Sequence, residues 1–167
     1  MFRSTLDVER RVLGPDHPDT LNSQNNLANA LADQGKYAEA EGMHRSTLNV
    51  RSRVLGSDHP STLTSQSSLA AVLSKQGKCA EAEEMYRTTL DVESRVLGSD
   101  HPDTLISQNN LALVLNKQGK YAEAEPLRRE LLAAQTRVQG DEHVDTLMAA
   151  CNLAVTLTDQ GKYAEAE

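Results

Sequence analysis

The chain of 167 residues has no tryptophan, one phenylalanine and four tyrosines. It therefore lacks the aromatic surfaces on which nucleic-acid bases stack. Lysine and arginine together number 17, against 24 aspartate and glutamate residues, so the formal net charge is −7. Because affinity for nucleic acid comes largely from basic side chains that neutralise phosphates, this balance disfavours nucleic acid as a partner.

Long apolar runs are also missing. No segment approaches the roughly 20 apolar residues of a membrane-spanning helix, and the N-terminal residues do not have the pattern of a signal peptide. The two cysteines, Cys79 and Cys151, form no CxxC motif and have no histidine at zinc-ligand spacing. We therefore predict two free thiols, no membrane contact, no metal, and a cytoplasmic location.

The glycines mark an internal repeat. Gly14 and Gly56 are 42 residues apart, and the interval continues to Gly98 and Gly140. A second glycine series and single histidines and threonines keep the same interval: Gly35, Gly77, Gly119 and Gly161; His17, His59, His101 and His143; Thr20, Thr62, Thr104 and Thr146. A fixed period of this length predicts stacked repeats. We predict one unit made of a partial helix (1–12), three whole repeats (13–54, 55–96 and 97–138) and a truncated repeat (139–167).

Each repeat contains two helical patterns, A and B. Helix A of the first repeat begins at Pro18, carries apolar residues at steps of three and four, and stops before Gly35. Helix B begins at Tyr37 and continues to Val54. The pattern predicts A helices at Pro18–Asp33, Pro60–Lys75, Pro102–Lys117 and Val144–Asp159, and B helices at Tyr37–Val54, Cys79–Val96 and Tyr121–Val138. Pro126 is expected to bend the last of these.

The ends of the chain fall inside the repeat pattern. Met1–Val12 matches Met43–Val54, and Tyr163–Glu167 matches Tyr37–Glu41. This predicts a fragment of a longer solenoid with two uncapped ends. We expect head-to-tail self-association, in which the B-type residues Leu6, Val8 and Val12 of one chain cover the A helix Val144–Asp159 of another.

The unit LGxDHPxTLxSQxxLAxxLxxQGKxAEAE resembles the 42-residue tetratricopeptide-like repeats of kinesin light chains. Leu27, Ala28, Gly35, Tyr37 and Ala40 occupy the packing positions of that family. The resemblance implies an all-α fold, a right-handed α-solenoid of antiparallel helix pairs. It also implies a concave wall of A helices that binds peptides or partner proteins. The sequence contains no GxSxG, GxGxxG or GxxxxGK(S/T) motif, so we expect neither catalysis nor a cofactor.

Candidate partner-binding residues follow from the resemblance. The candidates lie on the A helices: Asn25, Asn29, Ser67, Ala71, Lys75, Asn109, Leu113 and Lys117. The same wall also includes Asn22, Asp33, Thr64, Ile106, Met148, Cys151, Val155 and Asp159. Only Lys75 and Lys117 supply cations there, so a general clamp for C-terminal carboxylates is not expected. Asn109 is expected to hold peptide amides or one carboxylate. Replacing Asn109 and Lys117 together should weaken ligand binding with little loss of stability.

Other chemistry has no support in the sequence. The repeated histidines precede helices and lack a second metal ligand at i+3 or i+4, so helix capping or turn packing is the better interpretation. Asp16, Asp58 and Asp100 are expected to stabilise turns and helix N-termini, His44 to fill a surface or groove position, and Cys79 to be a buried core thiol. Three functions remain open: a protein-binding scaffold, a self-associating array, and a sensor segment of a larger signalling ATPase or motor adaptor.

Overall fold

A computed structural model describes residues 2–166, and within that range the secondary structure is entirely helical. Met1 and Glu167, which end the two predicted terminal helices, lie outside the described residues. In chain order the helices are α1 (Phe2–Val12), α2 (Pro18–Asp33), α3 (Tyr37–Leu55), α4 (Pro60–Lys75), α5 (Cys79–Val96), α6 (Pro102–Lys117), α7 (Tyr121–Gln139), α8 (Val144–Asp159) and α9 (Tyr163–Ala166). The four A helices and α5 match their predicted bounds, while α3 and α7 continue one residue further than expected.

A histidine caps the start of each A helix. His17 has extended backbone angles, and its Nδ1 accepts a hydrogen bond from the Asp19 backbone N–H at 3.2 Å. His59, His101 and His143 make the same contact at the starts of α4, α6 and α8. The imidazole thereby takes the place of the Ser or Asp side chain that usually satisfies an orphan N–H at a helix start. The interpretation of these histidines as capping residues is confirmed.

The A helices end in a motif that depends on glycine. Gly35 has a φ of +77°, and its N–H bonds the Ala32 carbonyl at 3.0 Å while the Lys36 N–H bonds the Leu31 carbonyl at 2.9 Å. This is the Schellman pattern, which places a left-handed residue directly after the helix and satisfies two free carbonyls. The second glycine series of the sequence thus fixes where helix A stops.

The chain divides into two compact units, Met1–Met85 and Tyr86–Glu167. The core of the first contains Leu6, Leu27, Leu31 and Val72, and the core of the second contains Leu105, Leu131, Ala134 and Ala149. Alanines at two positions of each repeat have no exposed surface, and their small side chains allow the helices to pack closely: Ala28, Ala70 and Ala112 on A helices, and Ala40, Ala82 and Ala124 on B helices. Ala154, whose B helix is represented only by α9, is half-buried.

Candidate partner-binding surface

The predicted binding residues lie on α2, α4 and α6, but they do not share one environment. Asn29, Lys75, Leu113 and Lys117 are exposed, whereas Ser67, Ala71 and Asn109 are half-buried. Asn25 is buried. We define the A-helix surface as the exposed and half-buried residues of α2, α4, α6 and α8 that the B helices leave uncovered.

Asn25 and His44 form a polar pair inside the first repeat. The Nδ1 atom of His44 lies 2.9 Å from Oδ1 of Asn25. His44 is completely buried, so its expected place at a surface or groove was wrong. Burial lowers the pKa of His44 to about 4, which keeps the ring neutral at pH 7. Asn25 therefore serves the packing of α2 on α3 rather than the open surface.

Asn109 and Arg128 form the equivalent pair in the third repeat. Nη1 of Arg128 donates to Oδ1 of Asn109, and the arginine is only 2% exposed. Desolvation lowers the pKa of Arg128, although a guanidinium remains charged at neutral pH. Asn109 thus has a structural role beneath the surface, and its Nδ2 amino group takes no part in this bond.

A cleft opens on the A-helix surface of the second unit, between α6 and α8. Its volume is about 290 Å³, and residues of α7 form part of its lining. Buried apolar residues, Leu105, Leu131 and Ala149, form its base. Ile106 and Met148, which are 56% and 58% exposed, also line it. The remaining lining residues are four amides, one carboxylate and a proline: Asn109, Gln135, Gln139, Asn152, Asp145 and Pro102.

The sequence prediction included Ile106, Asn109 and Met148 of this cleft but missed Leu131, Gln135 and Gln139. These three belong to helix B, whose residues were assigned only to packing. Alignment of the repeats with one another could have indicated this position, because Gln135 falls where the first repeat has Arg51 and the second has Glu93. A position that changes charge between otherwise similar repeats is not fixed by packing alone.

Comparisons with known proteins agree with the repeat. A tetratricopeptide repeat model matches residues 1–50, 19–92, 67–127 and 103–167. The chain belongs to the tetratricopeptide repeat family. No curated protein matches it at a significant level.

Solved structures of tetratricopeptide repeats are close in fold. A protein of Podosopora anserina, provisionally assigned as a kinesin light chain with nearly identical repeats, is 30% identical over 99% of this chain and 78% of its own, with a TM-score of 0.85. A single-substitution variant of it gives a TM-score of 0.87. BtubC from P. vanneervenii, 18% identical, covers 99% of this chain and 66% of its own with a TM-score of 0.86, which supports the fold alone. The all-α solenoid class is confirmed.

Arginine and glutamate link successive B helices of this tetratricopeptide array. Arg45 in α3 contacts Glu81 in α5 at 2.5 Å, and the same contact at the same spacing recurs elsewhere in the chain, as Arg3 with Glu39, Arg87 with Glu123 and Arg129 with Glu165. Within α3, Glu41 also pairs with Arg45 at the favourable i,i+4 spacing, at 3.0 Å. The pairs between B helices connect neighbouring repeats, but because both partners are exposed each contributes little to stability.

The other candidate sites of the tetratricopeptide chain have structural explanations. Asp16, assigned from the sequence to a turn, accepts from Arg53 near the end of α3 at 2.7 Å. Cys79 and Cys151 are free thiols, but Cys79 is half-buried rather than buried in the core. Within residues 2–166, no helix is both long and apolar enough to cross a membrane. The same residues contain no group of three histidine, cysteine or acidic side chains that could hold a metal ion.

Proposed function

We propose that this chain is a non-catalytic scaffold that binds a peptide or partner protein along its A-helix surface. One observation carries the proposal: α6 and α8 expose apolar side chains that the B helices do not cover. Ile106 and Leu113 are 56% and 44% exposed, and Met148 and Val155 are 58% and 56% exposed. Each pair is seven residues, or about two turns, apart, so it shares one face of its helix.

Contact with a protein partner would remove this apolar surface from water. Clusters of exposed apolar residues bordered by polar groups are typical of interaction sites. Here the bordering groups include the amide of Asn152, which can bond both N–H and C=O groups of a peptide, and the Nδ2 amino group of Asn109, which can donate to a C=O group. The surplus of acidic residues argues against nucleic acid, and two free thiols suit a reducing compartment such as the cytoplasm.

Site-specific photocrosslinking tests the scaffold function. A photoreactive residue replaces Leu113 on the A-helix surface or, as a control, exposed Ala133 on α7. A partner crosslinked in cells only through position 113, then purified and found to bind by calorimetry, would support the proposal. Equal crosslinking at both positions, or only at position 133, would move the site away from the A helices.

Self-association is a second candidate function, because two uncovered faces of this chain complement each other. Leu147 on α8 is 54% exposed, whereas its counterpart Leu105 on α6 is 5% exposed and packs near Leu131 of α7. Thr5 on α1 is exposed, whereas its counterpart Thr47 is completely buried. Packing α1 of one copy on α8 of another would bury both positions as a whole repeat does.

Sedimentation velocity tests this association. The sedimentation coefficient of the chain of 167 residues should rise with concentration, and Leu147→Glu should hold it at the monomer value. Val54→Glu, which changes a residue of similar exposure on α3, is the matched control. A single species from micromolar to millimolar concentration would exclude head-to-tail assembly.

A further inference from the structure

The cleft between α6 and α8 has a counterpart in the first unit, but an arginine occupies it. Arg51 of α3 is 5% exposed and lies between α2 and α4. Its Nη1 donates to Ser65 Oγ at 2.8 Å and to the Ser61 carbonyl at 2.9 Å, and its Nη2 donates to Asn22 Oδ1 at 2.6 Å. The guanidinium thus fastens two A helices together and fills the space between them.

The second unit has replaced all three of these side chains. The residues 84 positions after Arg51, Asn22 and Ser65 are Gln135, Ile106 and Ala149, and all three line the cleft. The long cation has become a shorter amide, while its two polar side-chain partners have become apolar. These changes together open the space that Arg51 closes in the first unit and give it an apolar wall.

Gln135 is also left with an unmet hydrogen bond. Its Oε1 atom is buried and has no hydrogen-bond partner among the described residues. A buried acceptor without a donor is unfavourable, so a donor brought by a ligand is favoured. Rotation of the terminal amide toward the cleft would present Oε1 to a peptide N–H.

The charge of the lining residues and the volume of the cleft restrict which ligands would fit. Of the described residues that line the cleft, Asp145 is charged and none is lysine or arginine. Asp141 and Glu142, both exposed in the turn before α8, add negative charge four and three residues before Asp145. A volume of about 290 Å³ is at the low end for small-molecule sites and suits one or two side chains.

We propose that this cleft is a specificity pocket for one leucine-sized apolar side chain of an extended peptide that carries lysine or arginine on either side of it. The peptide main chain donates to Gln135, and its basic residues face the acidic turn before α8. Arg51 excludes the same side chain from the first unit. This inference rests on the proposed scaffold function and assigns its recognition to one pair of A helices.

Methyl NMR on the whole chain tests the pocket. The probe is the peptide acetyl-Gly-Lys-Leu-Lys-Gly-amide, and the reporters are the methyl groups of Ile106, Leu131 and Met148. Titration should shift these signals, while a peptide with aspartate in place of leucine should bind roughly tenfold or more weakly, because it cannot bury apolar surface. Replacing both lysines by glutamate should also weaken binding.

Two variants connect the effect to the cleft. Gln135→Arg should abolish the shifts, whereas Ala133→Arg, which adds the same charge to an exposed position of α7, should preserve them. The triple change I106N/Q135R/A149S transplants the three residues of the first unit and should close the cleft in a folded protein. Retained α-helical circular dichroism separates closure from unfolding.

The outcomes distinguish this inference from the scaffold function. Shifts at the three reporters that disappear in Gln135→Arg, and that also disappear at Leu131 and Met148 in the triple variant, would support the pocket. Shifts confined to Leu113 and Val155, outside the cleft lining, would overturn the pocket while supporting the scaffold. Binding that prefers the aspartate or glutamate peptide would overturn the proposed ligand chemistry. No shift with any of these peptides would also overturn the pocket, and crosslinking through position 113 would then decide the scaffold function separately.

Discussion

Lys78, in the turn before α5, donates from Nζ to Oε2 of Glu41 on α3 at 2.7 Å. Gln76 and Arg45 donate to the same carboxylate at 2.8 Å and 3.0 Å. The contacts from Lys78 and Gln76 join one repeat to the next, whereas Arg45 lies one turn from Glu41 on the same helix. The hydrogen bond from Lys78, with those from Gln76 and Arg45, lowers the pKa of Glu41 from 4.5 to about 2.

Glu41→Gln should reduce the free energy of unfolding at pH 7 by about 1 kcal/mol, the upper range for partly exposed ion pairs. Because the pKa of Glu41 is lower in the folded state, its contribution is complete above the unfolded value of 4.5 and disappears as pH falls toward about 2. Urea unfolding of wild type and variant at pH 7 and pH 3 measures the difference. Glu39→Gln, at a more exposed ion pair, is the control. An equal loss at both pH values would contradict the assignment.

His44 should make the protein sensitive to acid in a higher pH range than Glu41 does. Its folded pKa of about 4 is below the ordinary value of 6.5, so the unfolded chain binds the proton more readily. The free energy of unfolding should therefore fall between about pH 6.5 and pH 4, by about 2 kcal/mol in this range. His44→Gln should remove most of this slope in urea titrations across pH 4.5–7. His17→Asn, which keeps a capping side chain at a half-buried position, should retain the slope. An unchanged slope in His44→Gln would contradict the assignment.

Asn109→Ala should destabilise the fold, although the sequence marked this residue for the surface. The change leaves Arg128 buried without its Asn109 acceptor, and a hydrogen bond to a charged group contributes about 1.5–3 kcal/mol. Asn29→Ala, at an exposed position of α2, should cost less than about 0.5 kcal/mol. Denaturant midpoints compare the two variants. Equal midpoints for the two variants would contradict the role given to Asn109. Because Asn109→Ala is expected to destabilise the fold, Lys117→Ala is the better single change for binding studies.

The two thiols should differ in accessibility. Cys151 is exposed on α8, whereas Cys79 is half-buried at the start of α5. A maleimide should therefore label Cys151 first, and mass spectrometry of partially labelled protein should find the adduct mainly there. Cys151→Ser should remove the fast phase of labelling and Cys79→Ser the slow one. Faster labelling of Cys79 would indicate that the start of α5 opens readily.

The helix bounds could be predicted because local chemistry sets them. Pro18 and its capping histidine start a helix, and Gly35 stops it, whatever the helix packs against. The side-chain pairs could not be predicted in the same way. Asn25 and His44 are 19 residues apart, so their contact depends on how α2 and α3 are rotated against each other. Repetition gave the period of the fold but not the relative rotation of its helices.

The cleft could be predicted from the sequence even less well than the side-chain pairs. Its residues come from α6, α7 and α8, and its volume depends on which side chain α7 places between the two A helices. The sequence contains the change from Arg51 to Gln135, but only the contacts of Arg51 with Asn22 and Ser65 reveal what that change opens.

The constant spacing of the contacts between B helices restricts how the length of this protein can change. Arg45, Arg87 and Arg129 each contact the glutamate 36 positions later. Lys78 and Lys162 each contact the glutamate 37 positions earlier. Loss or gain of a single residue within α4 would rotate everything after it by about 100°, because an α-helix has 3.6 residues per turn. Loss or gain of a complete repeat would rebuild each contact with a new partner. Duplication of whole repeats is therefore the change of length that costs this architecture least, and a lineage that carries it can vary its number of repeats without redesigning any of them.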